Sequence, residues 1–333
     1  MKVLVTGAAG FIGQKLVSAL IADPLYTDIT ITDIILPKTP RSPEEKPVTA
    51  VLSNLATQAD REMLVTKDLD VIFILHGIMS GMAEKNFESG MMVNFDSTRG
   101  LLECARKRRW HESRNKLFIG AQVVPGIKVV FASSLAVFGG TLPDEVTERT
   151  MPTPSTSYGM QKMLCEYLIN DYSRRGYIDG RTLRFPTVVV RPGAPSGAAS
   201  SFVSGIIREP LNNLPSVLPV SRDMSLWVSS PRTVVSNILH AVNVPAEQLG
   251  EMRQINLPGI TVTVKEMLEA LGAVGGEERV ELVKEQKDET VQRIVGSWPA
   301  RFRIERAMDL GFVGDGGFAQ VVKEYIEDEG ILV

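Results

Sequence analysis

Tyr158 and Lys162 are four residues apart in the stretch STSYGMQKMLCEYL, which has the pattern of a helix. This spacing brings both side chains to one face of that helix. A phenol ordinarily loses its proton at about pH 10, and a neighbouring ammonium group favours the phenolate and lowers that pKa. We therefore predict that Tyr158 is a general base toward a substrate alcohol and that Lys162 lowers its pKa.

Ser133 and Ser134 end the apolar run IKVVFASS, which is predicted to be a buried strand. In a parallel sheet the carboxyl ends of the strands face the ligand cleft. Ser134 could therefore hold the alcohol or carbonyl oxygen in line with Tyr158, and Ser133 could hold another hydroxyl. A tyrosine–lysine pair alone is common on amphipathic helices, so this chemistry needs support from the rest of the chain.

A glycine-rich turn near the start of the chain supplies that support. The stretch MKVLVTGAAGFIGQKL reads as a buried strand, a turn and a helix. Such a turn lets the backbone approach a pyrophosphate, and the helix N-terminus beyond it attracts negative charge. A turn without a ligand is the alternative. We predict that the following residues contact a dinucleotide: Gly7, Gly10, Phe11, Ile12 and Gly13.

Asp33 ends a second predicted strand, in the stretch DITITDIILP. A carboxylate about twenty residues beyond the glycines can accept both ribose hydroxyls and repels a 2′-phosphate. Asp33 therefore favours NAD over NADP, and the alternative is a solvated loop aspartate.

Composition excludes several other classes of protein. The 333 residues carry a formal net charge of −3, so no polyanionic partner is implied, and the basic run at 106–116 is interpreted as a helix end. The three histidines have no ligand spacing, so no metal is expected. Cys104 and Cys165 are interpreted as small core residues of a reducing compartment. We find neither a signal peptide nor an apolar run of membrane-spanning length, and expect a cytoplasmic protein without nucleic-acid or membrane partners.

Strand-like and helix-like segments alternate through the first half of the chain, including one long helix predicted over 86–109. This alternation predicts an α/β fold with a doubly wound parallel sheet, a Rossmann fold. We assign residues 1–191 to a cofactor-binding domain, to which 227–260 return. The composition changes after Pro192, and we assign 192–226 and 261–333 to a smaller α+β substrate lobe that closes over the strand ends.

The glycine turn, Asp33, Asn94, Ser134, SYGMQK and RFPTVVVRPG together resemble the extended short-chain dehydrogenase/reductase family, or NAD-dependent epimerase/dehydratase family. The resemblance covers essentially the whole chain. It implies NAD as cofactor, with Lys162 on the nicotinamide ribose, and a homodimer built through 94–106 and 158–170. The further cofactor contacts that it implies are Asn54, Leu55, Leu75, His76, Gly77, Asn94, Tyr158, Lys162, Pro186 and Val188.

The sequence also departs from the family pattern. Asn54 stands where an aspartate near the adenine is usual, and His76 and Gly77 stand where the family has two alanines. His76 could crowd the cofactor or simply pack. The stretch 111–126 is longer than the corresponding family connection, and we assign no function to it.

Within the family, the stretches HGIMSG and FASSLAVFGG look like those of sugar-acid dehydrogenases. That likeness implies NAD-dependent oxidation of D-erythronate at C2 to 2-oxo-tetronate. Ser80, together with Ser133, Ser134 and Tyr158, then falls at the substrate site. A sugar acid brings a carboxylate, so the cleft needs a cation, and the candidates are Arg191 and Arg232.

Two other functions stay open at this point. A nucleotide-sugar epimerase or dehydratase belongs to the same family, although Leu135 and Ala136 stand where a dehydratase has Asp-Glu, and an Asp pair is replaced around Arg232. A dinucleotide-sensing protein without turnover is the other alternative. Such proteins commonly lose the tyrosine or the lysine, and this chain keeps both.

Overall fold

The computed structural model describes residues 1–40, 46–116, 126–194 and 198–332, without the side chains of 109–116. Residues 117–125 of the insertion at 111–126 therefore lie outside the described part. The strands are β1 (Lys2–Thr6), β2 (Asp28–Asp33), β3 (Val48–Leu52), β4 (Val71–Ile74), β5 (Lys128–Ser134), β6 (Asp179–Phe185), β7 (Thr187–Val188), β8 (Ser216–Leu218), β9 (Ser225–Ser229), β10 (Gln254–Asn256), β11 (Ile260–Thr263) and β12 (Val283–Glu285).

The helices alternate with these strands in the first half of the chain. They are α1 (Phe11–Ala22), α2 (Gln58–Leu64), α3 (Ser80–Lys85), α4 (Phe87–Gly90), α5 (Ser97–Lys116), α6 (Ser157–Arg174), α7 (Ser201–Leu211), α8 (Pro231–Asn243), α9 (Ala246–Leu249), α10 (Val264–Gly275), α11 (Glu277–Val280), α12 (Glu289–Gly296), α13 (Glu305–Asp309) and α14 (Phe318–Glu329), with a π-helical turn at Met91–Asp96 and a 3₁₀ turn at Leu135–Val137.

A seven-stranded parallel sheet in the order β10-β6-β5-β4-β1-β2-β3 forms the centre of the fold. This arrangement confirms the predicted doubly wound α/β fold. The chain order reverses between β1 and β4, and such a reversal opens a crevice at the carboxyl ends of the strands. The sheet thus provides a ligand site where the glycine turn follows β1.

Alternation along β1 explains the two packed layers. Val3 and Val5 face a core cluster that includes Leu16 of α1 and Ile238 of α8, whereas Leu4 between them faces a second cluster. Successive side chains of a strand point to opposite faces, so a strand covered by helices on both sides is apolar throughout.

Residues beyond β7 build a third apolar cluster from α7, β9, α10 and α14. There β7, β9 and β11 form a three-stranded sheet, and β8 pairs with β12. The domain boundaries stay a prediction. None of the described helices is long and apolar enough to cross a membrane.

Candidate active site

One cleft of about 680 Å³ lies at the carboxyl ends of the central strands. It collects nearly all the side chains that the sequence predicts for a site, from segments far apart in the chain. These lining residues are Gly7, Gly10, Phe11, Ile12, Gly13, Asp33, Asn54, Leu55, Leu75, His76, Gly77, Ser80, Ser133, Ser134, Tyr158, Lys162, Pro186, Val188 and Arg191.

The glycine turn before the N-terminus of α1 has the geometry of a phosphate-binding loop. Gly7 has φ +71°, and a Cβ there would lie 2.5 Å from the backbone nitrogen of His76. A Cβ at Gly13 would lie 2.8 Å from the Cα of Ala8. No side chain caps α1, and its first turn holds no acidic residue. The turn therefore fits the pyrophosphate of a dinucleotide, which would bring its own negative charge to the helix N-terminus.

Asp33 is fixed beside this turn. Its carboxylate accepts one hydrogen bond from the backbone N–H of Ala9 at 3.1 Å and another from that of Ile34 at 2.7 Å. Asn54, at the end of β3, is exposed, and its Oδ1 accepts from the N–H of Ala56 at 3.0 Å. Both side chains lie where the ribose and adenine of a dinucleotide would follow the pyrophosphate.

Asp33→Asn should reduce the preference for NAD over NADP. The amide keeps an acceptor for the Ala9 N–H, but it removes the charge that repels a 2′-phosphate. Because a hydrogen bond to a charged group contributes about 1.5–3 kcal/mol, kcat/KM for NAD should fall by about 10- to 100-fold, and that for NADP should fall less or rise. Asp28→Asn, at the other end of β2, is the control. An unchanged NAD/NADP ratio in Asp33→Asn would contradict the assignment.

Tyr158 reaches the cleft because α6 packs closely on the end of β5. Thr156 caps α6 by accepting from the Gly159 N–H at 3.1 Å, and a Cβ at Gly159 would lie 2.9 Å from the carbonyl carbon of Ala136. Ser134, whose Oγ accepts from the Ala136 N–H at 3.1 Å, lines the same cleft as the phenol. Burial raises the pKa of Tyr158 to about 12, while the charge of Arg191 and the hydroxyl of Ser134 act to lower it.

Lys162 is buried one helical turn beyond Tyr158. Its Nζ donates to the carbonyl oxygen of Ala132 at 2.8 Å and lies 5.6 Å from the centre of the Tyr158 ring. Burial lowers the pKa of Lys162 to about 8. The charge of Arg191, which comes from a distant segment that helix spacing does not reveal, also acts to lower the pKa of Tyr158. The predicted effect of Lys162 on that pKa stays a prediction.

Ser133 is tied to a buried ion pair. Its hydroxyl donates to Oε1 of Glu166 at 2.5 Å, and Arg184 donates to Oε2 of the same carboxylate at 2.6 Å. Glu166 and Arg184 are both almost fully buried. Since the proton of Ser133 is committed to Glu166, this hydroxyl can only accept a hydrogen bond from a ligand in the cleft.

The two candidate cations have different surroundings. Arg191 lines the cleft, and its Nε donates to the carbonyl oxygen of Val188 at 3.0 Å. Arg232 does not line the cleft: its guanidinium pairs with Glu327 at 3.0 Å and donates to Asp328 at 2.9 Å. The expectation that Arg232 could bind a substrate carboxylate is therefore corrected, because two carboxylates of α14 already hold it.

Asn94 also lies outside the cleft lining. The predicted long helix is interrupted by the π-helical turn at 91–96, from which the Asn94 amide accepts from the Ile78 N–H at 2.8 Å and donates to Gln161 Oε1 at 2.7 Å. Such turns frequently accompany functional sites. Asn94 therefore holds the segment that follows β4, and its direct contact with the cofactor stays a prediction.

His76 is a buried residue of the cleft lining. Its Nδ1 lies 2.8 Å from Thr6 Oγ1 and its Nε2 lies 2.7 Å from Ser97 Oγ. Burial, with a smaller contribution from the charge of Lys162, lowers the pKa of His76 to about 3, so the ring is neutral. Its polar atoms are satisfied within the protein.

Several apolar residues line the cleft that the sequence does not reveal. They include Met79, Met82 and Met92 near the start of α3 and in the π-helical turn, and Trp298 beyond α12. A methionine or tryptophan in a sequence reads first as a core residue, so no local signal distinguishes these side chains. Only the closure of the C-terminal segment over the sheet brings Trp298 to the cleft.

Comparison with known proteins agrees with this geometry. Residues 3–225 match the model of the NAD dependent epimerase/dehydratase family. D-erythronate dehydrogenase from Haemophilus influenzae is 42% identical over 329 residues, 98% of this chain and 99% of that one, and the enzyme of the same name from Cupriavidus necator is 40% identical over 340 residues, 99% of each. A crystal structure described as the nucleoside-diphosphate-sugar epimerase from Agrobacterium tumefaciens is 38% identical, with a TM-score of 0.89 over 99% of this chain and 94% of that one.

The chain therefore belongs to the NAD dependent epimerase/dehydratase family, and NAD is its cofactor.

Proposed function

We propose that this NAD-dependent oxidoreductase, which acts on a CH–OH group, oxidises D-erythronate at C2 to 2-oxo-tetronate. The observation that carries the proposal is Arg191, a cation in the same cleft as Tyr158 and outside every ion pair of the described residues. The two D-erythronate dehydrogenases that are 42% and 40% identical to this chain support the same substrate.

Several residues of the cleft have separate roles in the proposed reaction. When bound, NAD accepts the hydride from C2 of the substrate. Tyr158 takes the proton of the C2 hydroxyl, so that the C–O bond becomes a carbonyl as the C–H bond breaks. Ser134 holds that oxygen, and Lys162, with its ammonium fixed on Ala132, binds the nicotinamide ribose.

In this proposal the carboxylate sets the orientation of the substrate in the cleft. Arg191 would bind it through a charge-assisted hydrogen bond, which is strong where water is excluded. Ser80, buried at the start of α3, and Ser133 would accept from the remaining hydroxyls. With the carboxylate fixed at C1, the adjacent C2 is the carbon presented to Tyr158.

A nucleotide-sugar epimerase is the second candidate, favoured by the description of the Agrobacterium tumefaciens structure. In an epimerase, Arg191 would face the diphosphate of the substrate, and NAD would be oxidised again at the end of the reaction. Leu135 and Ala136 beyond Ser134 argue against the dehydratase variant, and the retention of Tyr158 and Lys162 in the cleft argues against a sensing protein without turnover.

The absorbance at 340 nm tests the proposal. The protein is mixed with NAD and either C4 to C6 sugar acids or nucleotide sugars. We expect NADH to form with D-erythronate and not with nucleotide sugars. Conversion of a nucleotide sugar without net NADH, and no NADH with any acid, would establish the epimerase instead.

We also propose a homodimer through the helices at 94–106 and 158–170. The sequence offers Met91, Met92, Leu101, Leu102, Leu164 and Leu168 for that contact. Leu101 and Leu102 are fully buried within the chain and are corrected to core residues, whereas Met92 and Tyr167 are exposed. Light scattering at micromolar concentration should give twice the chain mass of 36.5 kDa, and a monomer alone would refute the dimer.

A further inference from the structure

Arg191 occupies a stretch of backbone that has left the sheet. Strand β7 ends at Val188, and the N–H of Val189 donates to the Ser229 carbonyl at 3.0 Å. Beyond Arg191, Pro192 has no N–H, and Gly193 turns the chain with φ +80°. The N–H and C=O of Arg191 must therefore find partners outside the ladder, since an unpaired buried backbone group is costly.

Helix α7 supplies both partners. The N–H of Arg191 donates to Ser204 Oγ at 3.1 Å, and Nη1 of Arg208 donates to the carbonyl oxygen of Arg191 at 2.8 Å. Ser204 and Arg208 are one helical turn apart on the same face of α7, and both are buried. The two contacts hold the peptide groups on either side of the Arg191 Cα.

The side chain of Arg208 and helix α7 are themselves held in place. Nη2 of Arg208 donates to Glu209 at 2.5 Å. The apolar residues of α7, among them Val203 and Ile207, pack into the apolar cluster that α7 forms with β9, α10 and α14. The guanidinium of Arg191 is held separately by its bond to Val188. The side chain therefore projects into the cleft from a backbone position that α7 fixes.

We propose that Ser204 and Arg208 are positioning residues that set the affinity of the enzyme for the substrate carboxylate. The inference rests on the proposed function, because it acts through Arg191. A guanidinium recognises a carboxylate within a narrow range of angles, and a small displacement of a positioning group has a large kinetic cost. Neither Ser204 nor Arg208 is among the residues that line the cleft.

The test compares Ser204→Ala, Ser204→Thr and Arg208→Lys in the full-length enzyme. Ser204→Ala removes the acceptor for the Arg191 N–H, and Ser204→Thr restores a hydroxyl. Arg208→Lys keeps the charge beside Glu209, but a single ammonium cannot reproduce the fork that reaches both partners. Ile207→Val, fully buried on the same helix, controls for loss of packing.

Ser204→Ala and Arg208→Lys should each raise KM for D-erythronate about tenfold, with kcat and KM for NAD within about twofold, as expected for lost ground-state binding of the acid. Ser204→Thr should recover most of the loss, and Ile207→Val should not change KM. In an Arg191→Ala background Ser204→Ala should add nothing, because residues that act through one group are not additive.

The outcomes separate this inference from the proposed function. If Arg191→Ala raises KM for the acid but neither α7 variant does, or if Ser204→Ala raises KM equally in the Arg191→Ala background, the positioning role is wrong and the function stands. If Arg191→Ala itself leaves KM unchanged, the carboxylate role of Arg191 fails and the inference falls with it.

Discussion

Tyr158→Phe should lower kcat for D-erythronate by about 10²- to 10⁴-fold, the contribution of a positioned general base. The substitution removes one oxygen from a side chain that lines the cleft together with Ser134. NAD binding should stay within about twofold, since the phenol acts in the transition state more than in the ground state. Steady-state kinetics, with NAD affinity from fluorescence quenching, measure both effects.

Tyr167→Phe is the matched control, because Tyr167 lies on the same helix and is exposed. It should leave kcat unchanged. Burial raises the pKa of Tyr158 to about 12 in the protein without cofactor, and the reaction needs the phenolate, so the oxidation rate should rise with pH. A Tyr158→Phe enzyme with undiminished kcat, or a rate that falls as pH rises through the neutral range, would contradict the general-base role.

Arg191→Ala should reduce kcat/KM for D-erythronate by about 30- to 1,000-fold, mainly through KM. Truncating one partner of a buried, hydrogen-bonded charge pair costs about 2–4 kcal/mol, and each 1.4 kcal/mol is about tenfold. KM for NAD should change little by comparison. The measurement is a substrate titration at saturating NAD.

Arg232→Ala provides the comparison that separates the two arginines. Arg232 is exposed and paired with Glu327 and Asp328, away from the cleft. Surface ion pairs contribute about 0–1 kcal/mol, so this variant should keep the wild-type KM for the acid. Loss of acid binding in Arg232→Ala but not in Arg191→Ala would reverse the assignment.

Local sequence patterns and one topological rule are sufficient to predict which residues meet in the proposed cofactor-binding half of the site. The glycine turn and Asp33 each follow a strand that alternation and apolar runs identify, and parallel strands bring their carboxyl ends together. Ser134 and Tyr158 converge for the same reason. These residues therefore meet in one cleft although more than a hundred positions separate Asp33 from Tyr158.

The proposed substrate-binding half of the site depends on contacts that no local sequence pattern predicts. Arg191 and Arg232 are equally plausible in the sequence. In the structure Arg191 lines the cleft, whereas Arg232 pairs with carboxylates of α14. Asn94 binds Ile78 and Gln161 from a π-helical turn that interrupts the predicted helix. Trp298 reaches the cleft through the packing of the C-terminal segment, and the partners of the Arg191 backbone come from a helix whose sequence reads only as amphipathic.

Transfer of deuterium from the substrate tests the central claim most directly. D-erythronate labelled with deuterium at C2 is incubated with NAD and the enzyme, and the reduced cofactor and the product are analysed by mass spectrometry. We predict that NADH carries the deuterium, that the product is the unlabelled 2-oxo acid, and that substrate labelled at C3 yields unlabelled NADH. Unlabelled NADH from the C2-labelled acid, or deuterium returned to an epimerised product, would contradict the account.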